Sequence, residues 1–467
     1  MLMKKKIILM LAAGLFSMGS CKQSFLDLKP YDSLPVGDAL KTEADVSTAL
    51  NGTYSLLRNA TLFGRTIPFI GDLSADNVYL SASNSGRYPQ EYQLALSVQN
   101  TDIQNTWSLA YTVILQANNI INAQVATSTN VTQYKGEALT IRALMYWELV
   151  KLFAKSYAAD PASPGVPLVL TFDANLRPAR NTVKEVYTQI TADLTQAFGQ
   201  MAGTRSNSSY VTKYVAEALL AKVYLYQADY ANALKSAQDV ITNGGYTLTT
   251  AANLNAYWGN PTPVTNKLET IFEVSIDGVA NVGFDALANM YNQAGYGDGL
   301  ATTDLYSLYS STDARRGLIL TGTRAGASVY IANKYQNVTN NADKDDVKVI
   351  RYADILLIAA ESAARTGNGP LALTYLNQLA QRRDPSLTAY TLSGDALISA
   401  IITERRKELA FEGDRFDDLN RLNLPLIRND QYPASARTVP ANDARRINPI
   451  PQVEIDANKQ ITQNSGY

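Results

Sequence analysis

Three glutamates, Glu404, Glu408 and Glu412, recur at four-residue intervals in ERRKELAFEGDRFDDLNRL, with Arg405, Arg406 and Arg415 set among them. Carboxylates in pairs do acid–base or metal work, and a glycoside hydrolase needs two of them roughly 5–10 Å apart across an open cleft. Here all three share one face of a helix expected over 394–412, beside Leu409, Ala410 and Phe411, which belong in a core. That placement predicts an ionic network with arginines one turn away or on neighbouring helices. Two other segments carry weaker chemical signals. DKDD at 343–346 lacks the glycine and distal glutamate of a calcium loop, so it reads as a solvated charge cluster. GYGDGL at 295–300 lacks the lysine–hydroxyl ending of a phosphate loop and reads as a loop.

Binding chemistry is richer. In PFIGDLSADNVYL, residues 68–80, Asp72, Asp76, Asn77 and Tyr79 combine acceptors, donors and an aromatic face, which suits a hydroxyl-rich ligand such as a sugar. The same residues also suit an Asx-rich turn bonded to its own backbone, and both readings stand at this point. In NAYWGN, Tyr257 and Trp258 form a stacking platform if exposed and a plug if buried. Trp107 and Trp147 lie on apolar helix faces and are expected in the core.

Composition narrows the classes further. The 467 residues include no histidine, which removes Ser-His-Asp and Cys-His catalysis and histidine metal sites together. A net charge of −1 leaves no electrostatic footprint for nucleic acid. Tyrosine, with 28 copies against 11 Phe and 3 Trp, suits wet binding surfaces as well as cores. A single cysteine excludes an intrachain disulfide.

That cysteine, Cys21, follows Lys4–Lys6, a short apolar run from Ile7 to Phe16, and Gly19-Ser20. The run is too short to span a bilayer and reads as a secretory signal over 1–20. A cysteine directly after the small residues reads as a lipobox, with Cys21 acylated and left as the first mature residue. Two or three acyl chains would hold the body stably at a membrane surface.

The elements that must position these residues are mostly helices. Apolar periodicity predicts them over about 38–59, 103–126, 131–154, 181–200, 211–228, 230–243, 352–366, 370–383 and 394–412. Between 244 and 349, NGGYTLTT, ETIFEVSI and a Gly- and Asn-rich run mix strand-like pieces with loops. Two segments look like copies of one hairpin: Ala221, Tyr224 and Ala233 share the offsets of Ala360, Ala363 and Ala372. Small residues there let paired helices approach, a tetratricopeptide-like pattern. The reading is a mainly α fold in which helical hairpins over about 38–243 and 350–423 form a scaffold. A variable loop region follows over 244–349, with a tail over 424–467.

The lipobox leading into SFLDLKP, then GEALTIRALMYWELVKLF, VIRYADILLIAAESAARTG, ERRKELAFEGDRFDDLNRL and NPIPQVEIDANKQITQNSGY, resemble in order the SusD/RagB family of outer-membrane nutrient-binding lipoproteins. The resemblance implies tetratricopeptide-like hairpins, long loops and a few short strands in one SusD-like domain over 21–467. It implies a non-catalytic protein with no cofactor or metal, lipid-anchored at the cell outer membrane and displayed on the surface. Its partner would be a SusC-like TonB-dependent transporter, and its cargo an oligosaccharide or polysaccharide, or in some members a peptide. The site would lie on loops away from the scaffold, with Asp76 and Tyr79 as contacts and further aromatics at Tyr257, Trp258, Tyr291 and Tyr296. Two other readings compete: a carboxylate-dependent glycoside hydrolase, which needs no histidine, and an adaptor that uses its hairpins to hold partners.

Overall fold

Hydroxyl and amide caps open most of the long helices. Thr42, Asn100, Ser128, Thr182 and Thr212 each accept the backbone N–H three residues on, satisfying a donor the helix itself leaves free. The computed structural model describes residues 39–203, 207–259, 268–338 and 345–467, so the leader, Cys21 and the first half of DKDD lie outside the described residues. The first half of the chain runs α1 (Glu43–Leu57), α2 (Thr66–Leu73), β1 (Val78–Leu80), α3 (Pro89–Gln93), α4 (Thr101–Asn122), α5 (Thr129–Phe153), α6 (Val183–Gln200), α7 (Lys213–Tyr226) and α8 (Tyr230–Asn243). A mixed region follows: α9 (Leu254–Gly259), β2 (Thr270–Val274), α10 (Leu287–Tyr291), β3 (Gly299–Ala301), α11 (Thr303–Ser307), β4 (Ile319–Arg324), β5 (Ala327–Ala332) and β6 (Val347–Arg351). The chain ends with α12 (Tyr352–Arg365), α13 (Gly369–Arg383), α14 (Gly394–Glu408), α15 (Arg415–Arg421), β7 (Leu426–Ile427), β8 (Thr438–Val439) and α16 (Gln452–Ala457).

The fold is mainly α, as expected. The long helices stack in a single series: α4 on α5, then α6, α7, α8, α12 and α13 in turn, with α1 against α4 and α5. The series crosses from α8 to α12 although more than a hundred residues separate them, so the mixed region is an excursion from a continuous scaffold. The repeated alanines sit where the pattern requires. Ala221, Ala233, Ala360, Ala363 and Ala372 are fully buried between helices. The two hairpins also share their turn, with Ala228 and Gly367 both left-handed (φ 59° and 84°), each followed by a capping Asp229 or Asn368.

Two expectations are corrected. The helix expected to run to 412 stops at Glu408, because Phe411 and Gly413 take positive φ (68° and 87°) and turn the chain. That turn packs against α2 so closely that a Cβ on Gly71 would lie 2.1 Å from the Gly413 carbonyl oxygen. NGGYTLTT forms no strand, since its backbone pairing is one bond from Thr247 N to the Leu268 carbonyl.

Glu404 and Glu408 of α14, with Glu412 in the turn after it, form the expected ionic lattice, and it reaches far into the mixed region. Arg351 Nη1 bonds Glu269 at 2.7 Å and Glu408 at 2.9 Å, its Nη2 bonds Glu412 at 2.7 Å, and Arg383 Nη2 reaches Glu408 at 2.9 Å. Arg315 bridges Asp313 and Glu404, each at 2.8 Å. Burial raises the Glu408 pKa, but Arg383, Arg351 and Arg315 outweigh it and hold the carboxylate well below its usual range. With every carboxylate engaged by arginines, this is a clamp between scaffold and loops.

β1, β3, β5 and β4, in that order, form an antiparallel four-stranded sheet in which Tyr79 lies opposite Leu300 and Ala301 opposite Tyr330. Pairs β2–β6 and β7–β8 are the other two sheets of the described residues, beside an isolated bridge between Pro164 and Thr182.

Candidate functional site

The chain leaves α2 through a cradle built by Arg428, whose guanidinium donates to the carbonyls of Leu73, Ser74 and Ala75 at the helix end. These carbonyls have no intrahelical partner, so the arginine serves as a C-terminal cap and aims the next residues at β1. Asp76 then accepts from Arg415 Nε at 2.8 Å and Nη2 at 3.0 Å, with Arg406 at 3.4 Å. Burial raises its pKa, yet the bond and charge of Arg415, followed by the charge of Arg406, keep it below the usual carboxylate range. Asn77 accepts from Arg406 Nε at 2.8 Å and is fully buried. Asp76 and Asn77 thus hold arginines from α14 and α15, the Asp76 carboxylate bonding its own backbone as well. They fix the start of β1, and with it Tyr79, which is partly exposed beside Gln431.

Asp72 is fully buried on the last turn of α2 and accepts the hydroxyl of Tyr291 at 2.7 Å, while its Oδ1 has no partner. Burial pushes its carboxyl up to about 8. Tyr291 is itself enclosed, stacked on Tyr335 and edge-on to Phe69. Trp258 is 3 % exposed with Lys334, Lys348 and Arg351 over its ring, so of its two readings the structure takes the plug. Tyr257 packs edge-on to it and shares a 2.6 Å bond with Thr270. Expected as surface contacts, Asp72, Asp76, Asn77, Tyr291 and Trp258 are therefore corrected to buried supports. Trp107 and Trp147 are core residues, as expected.

Tyr296 is different. Its ring is partly open, with Phe284, 55 % exposed, edge-on at 4.7 Å. The guanidinium of Arg87 lies 3.5 Å over the ring centroid. Beneath them Arg324, at the β4–β5 turn, gathers three segments: Nε donates to Ser81 Oγ at 2.8 Å, Nη1 to Gln293 at 3.0 Å, and Nη2 to the Tyr296 carbonyl at 2.9 Å. Nη2 also meets Asp298 at 3.3 Å, and Asp298 accepts from Ser85, which Arg87 bonds in turn. At the edge of this cluster Arg65 bonds Asp285 at 2.6 Å and reaches Asp102 at 3.8 Å, tying it to the first turn of α4.

The arrangement offers aromatic edges and faces beside charged and hydroxyl groups, all on loops braced from below. Of the residues expected from sequence it contains Tyr296, with Tyr79 at the other side of β1. It adds Arg87, Phe284 and Arg324, for which the local signal is slight: single charged or apolar residues in polar loops, joined only by a closure of more than 200 positions.

Two family models match the chain. Residues 327–467 match the SusD family, and residues 24–225 match a family described as starch-binding associating with outer membrane. A SusD-like protein of Formosa agariphila is 28 % identical over 500 aligned positions, covering 95 % of this chain and 96 % of the relative. Among solved structures, a putative sugar binding protein from Bacteroides vulgatus superposes with a TM-score of 0.84 at 28 % identity, over 92 % of this chain and 99 % of that one. A SusD superfamily protein from Bacteroides thetaiotaomicron gives 0.83 at 28 % identity, over 91 % and 99 %.

Proposed function

Because the chain belongs to the SusD family, we propose that it is an outer-membrane lipoprotein that binds glycan nutrients on its loop face without altering them. In this reading acylated Cys21 anchors it at the cell surface, and a SusC-like TonB-dependent transporter receives the cargo. The observation that carries the reading is the Arg87–Tyr296–Phe284 cluster on its Arg324 base. Aromatic faces cover the apolar side of a sugar ring, while arginine, serine and amide groups reach its hydroxyls. Tyr79 extends the contact surface across β1.

The carboxylates speak against hydrolysis by the segment that first suggested it. Glu404, Glu408 and Glu412 are each closed off by arginine or lysine, which leaves no pair flanking a sugar-sized gap there. A peptide cargo is the second reading, since arginines and aromatics also suit carboxylates and apolar side chains. Isothermal titration with plant, host and microbial glycans, with peptides alongside, separates the two. Co-purification from the native outer membrane tests for the transporter.

A further inference from the structure

We infer that the Tyr330 ring, with the hydroxyls of Thr321, Thr323 and Ser328, is a second glycan platform on the opposite face of the β4–β5 hairpin from the Tyr296 cluster. The protein would then take a polysaccharide at two points. The inference rests on the glycan reading above and adds the size class of the cargo.

The platform is a three-layer stack. The ring of Tyr306, on α11, lies against that of Tyr330 with centroids 4.0 Å apart and an interplanar angle of 18°. The Arg316 guanidinium covers Tyr306 at 4.6 Å, and donates from Nε to its hydroxyl at 3.1 Å and from Nη1 to the Tyr309 carbonyl at 3.2 Å. Tyr306 is therefore held on both faces and at its tip. Tyr330 is the outer leaf. It is partly exposed, and among the described residues its hydroxyl bonds nothing and its second face meets no ring or cation.

Strand register supplies the rest. Thr321 stands directly across from Tyr330, and Thr323 from Ser328 two residues on, so all four side chains share one face. Thr321, Thr323 and Ser328 are exposed, and among the described residues no hydrogen bond engages their side chains. Arg324 pairs with Ala327 one residue beyond and so belongs to the other face, where it gathers Ser81, Gln293 and the Tyr296 carbonyl. One hairpin thus carries an aromatic platform on each face, about 10 Å apart along the strand.

The occupant follows from what this face offers and lacks. ILTGT at 319–323 and ASVYIA at 327–332 contain no charged residue, and Arg316 is engaged beneath Tyr306, so a charged cargo finds no counter-ion on the strands. One ring beside three small hydroxyls falls far short of the roughly 800 Å² per partner that a stable protein interface buries. A sugar ring asks for no more than this, an aromatic face to cover its apolar side and donors and acceptors at its rim. Strand β4 is the edge of its sheet, so a chain laid across it meets both platforms without crossing another sheet edge. A short oligosaccharide fills one platform at a time, whereas a polysaccharide joins them. The second contact then forms at the high effective concentration set by the first.

The test is native electrophoresis of the purified mature protein through gels cast with starch, xylan, mannan or β-glucan, comparing the parent with Tyr330→Ala, Tyr296→Ala and the double variant. At least one polysaccharide is expected to retard the parent. Each single substitution is expected to weaken the apparent Kd at least about tenfold, and the double variant to run unretarded. In equilibrium dialysis, a trisaccharide of the retarding polymer is expected at about two per parent chain and about one per single variant. Thr323→Ala combined with Ser328→Ala removes hydroxyls that bond nothing in the fold, and is expected to weaken retardation about threefold. That variant reads the same contact if Tyr330→Ala lowers the melting temperature. Parent-like retardation of Tyr330→Ala and of the hydroxyl variant, with loss in Tyr296→Ala, overturns the second platform and leaves the glycan reading standing. A single trisaccharide per parent chain does the same. A parent that no polysaccharide retards, and that binds no glycan by titration, overturns both.

Discussion

The guanidinium of Arg87 lies 3.5 Å above the centroid of the Tyr296 ring, two groups brought together from distant parts of the chain by the hub at Arg324. A tyrosine whose ring is held by a cation and edged by Phe284 is a rigid platform, because little side-chain entropy remains to be lost on binding. Tyr296→Ala is expected to weaken glycan affinity by about 2 kcal/mol, on the order of thirtyfold in Kd, while Tyr296→Phe keeps most of it. Titration of both variants checks this, with melting temperatures near that of the parent in each case.

The paired turns of the scaffold make a second, independent test. Gly367 is left-handed with open space where a Cβ would stand, so Gly367→Ala adds backbone strain without a clash, offset in part by the lower entropy of the unfolded chain. It is expected to cost about 1 kcal/mol. Ala228 occupies the matching position with that strain built in, and Ala228→Gly is expected to recover up to about 1 kcal/mol, less the entropy the glycine adds to the unfolded chain. Urea denaturation of the two variants reads opposite signs.

Glu408 is the knot of the ionic lattice. Removing it in Glu408→Ala leaves Arg351 and Arg383 buried with one fewer partner each, and a loss of about 3–5 kcal/mol is expected. The pH dependence has a definite sign. The folded pKa lies below the unfolded value of 4.5, so the contribution is present above that pH and fades as pH falls below it. Acid unfolding of the parent, followed by circular dichroism, is expected to begin below about pH 4.5 and to be shallower in the variant.

Asp72 works in the other direction. Its folded carboxyl, raised to about 8, keeps its proton while the unfolded chain ionises near 3.8. Between these values the folded state binds more protons, so this group costs stability as pH rises, by about 1 kcal/mol per pH unit. Asp72→Asn preserves an acceptor for Tyr291 and removes the titration. Its stability relative to the parent is expected to increase between pH 5 and pH 8, measured by urea denaturation at each pH.

The scaffold was legible because helical period and capping are local. Thr42, Asn100 and Ser128 announce their helices within four residues, and the alanine offsets at 221–233 and 360–372 encode a packing distance directly. The site was legible only in part. Sequence identifies Trp258 and Tyr291 as aromatic residues in a loop region, but whether a ring faces water depends on what closes over it. Here Lys334, Lys348 and Arg351 cover the first, and Phe69 and Tyr335 enclose the second. The partners of Asp76 illustrate the same limit. A carboxylate suited to sugar hydroxyls meets Arg415 instead, 339 positions away, and nothing near Asp76 in the chain foretells it. Arg87 and Arg324 gain meaning only once the loops at 81–87 and 292–298 meet.

Isothermal titration of the purified mature protein against a glycan panel, with Tyr296→Ala measured beside it and reducing ends assayed in the same cells, tests the glycan-binding account most directly. The expected result is saturable binding of at least one glycan, at micromolar to millimolar Kd or about −8 to −4 kcal/mol, with affinity reduced in the variant and no reducing ends released. Binding of peptides but of no glycan, or steady release of reducing ends by the parent protein, would contradict it.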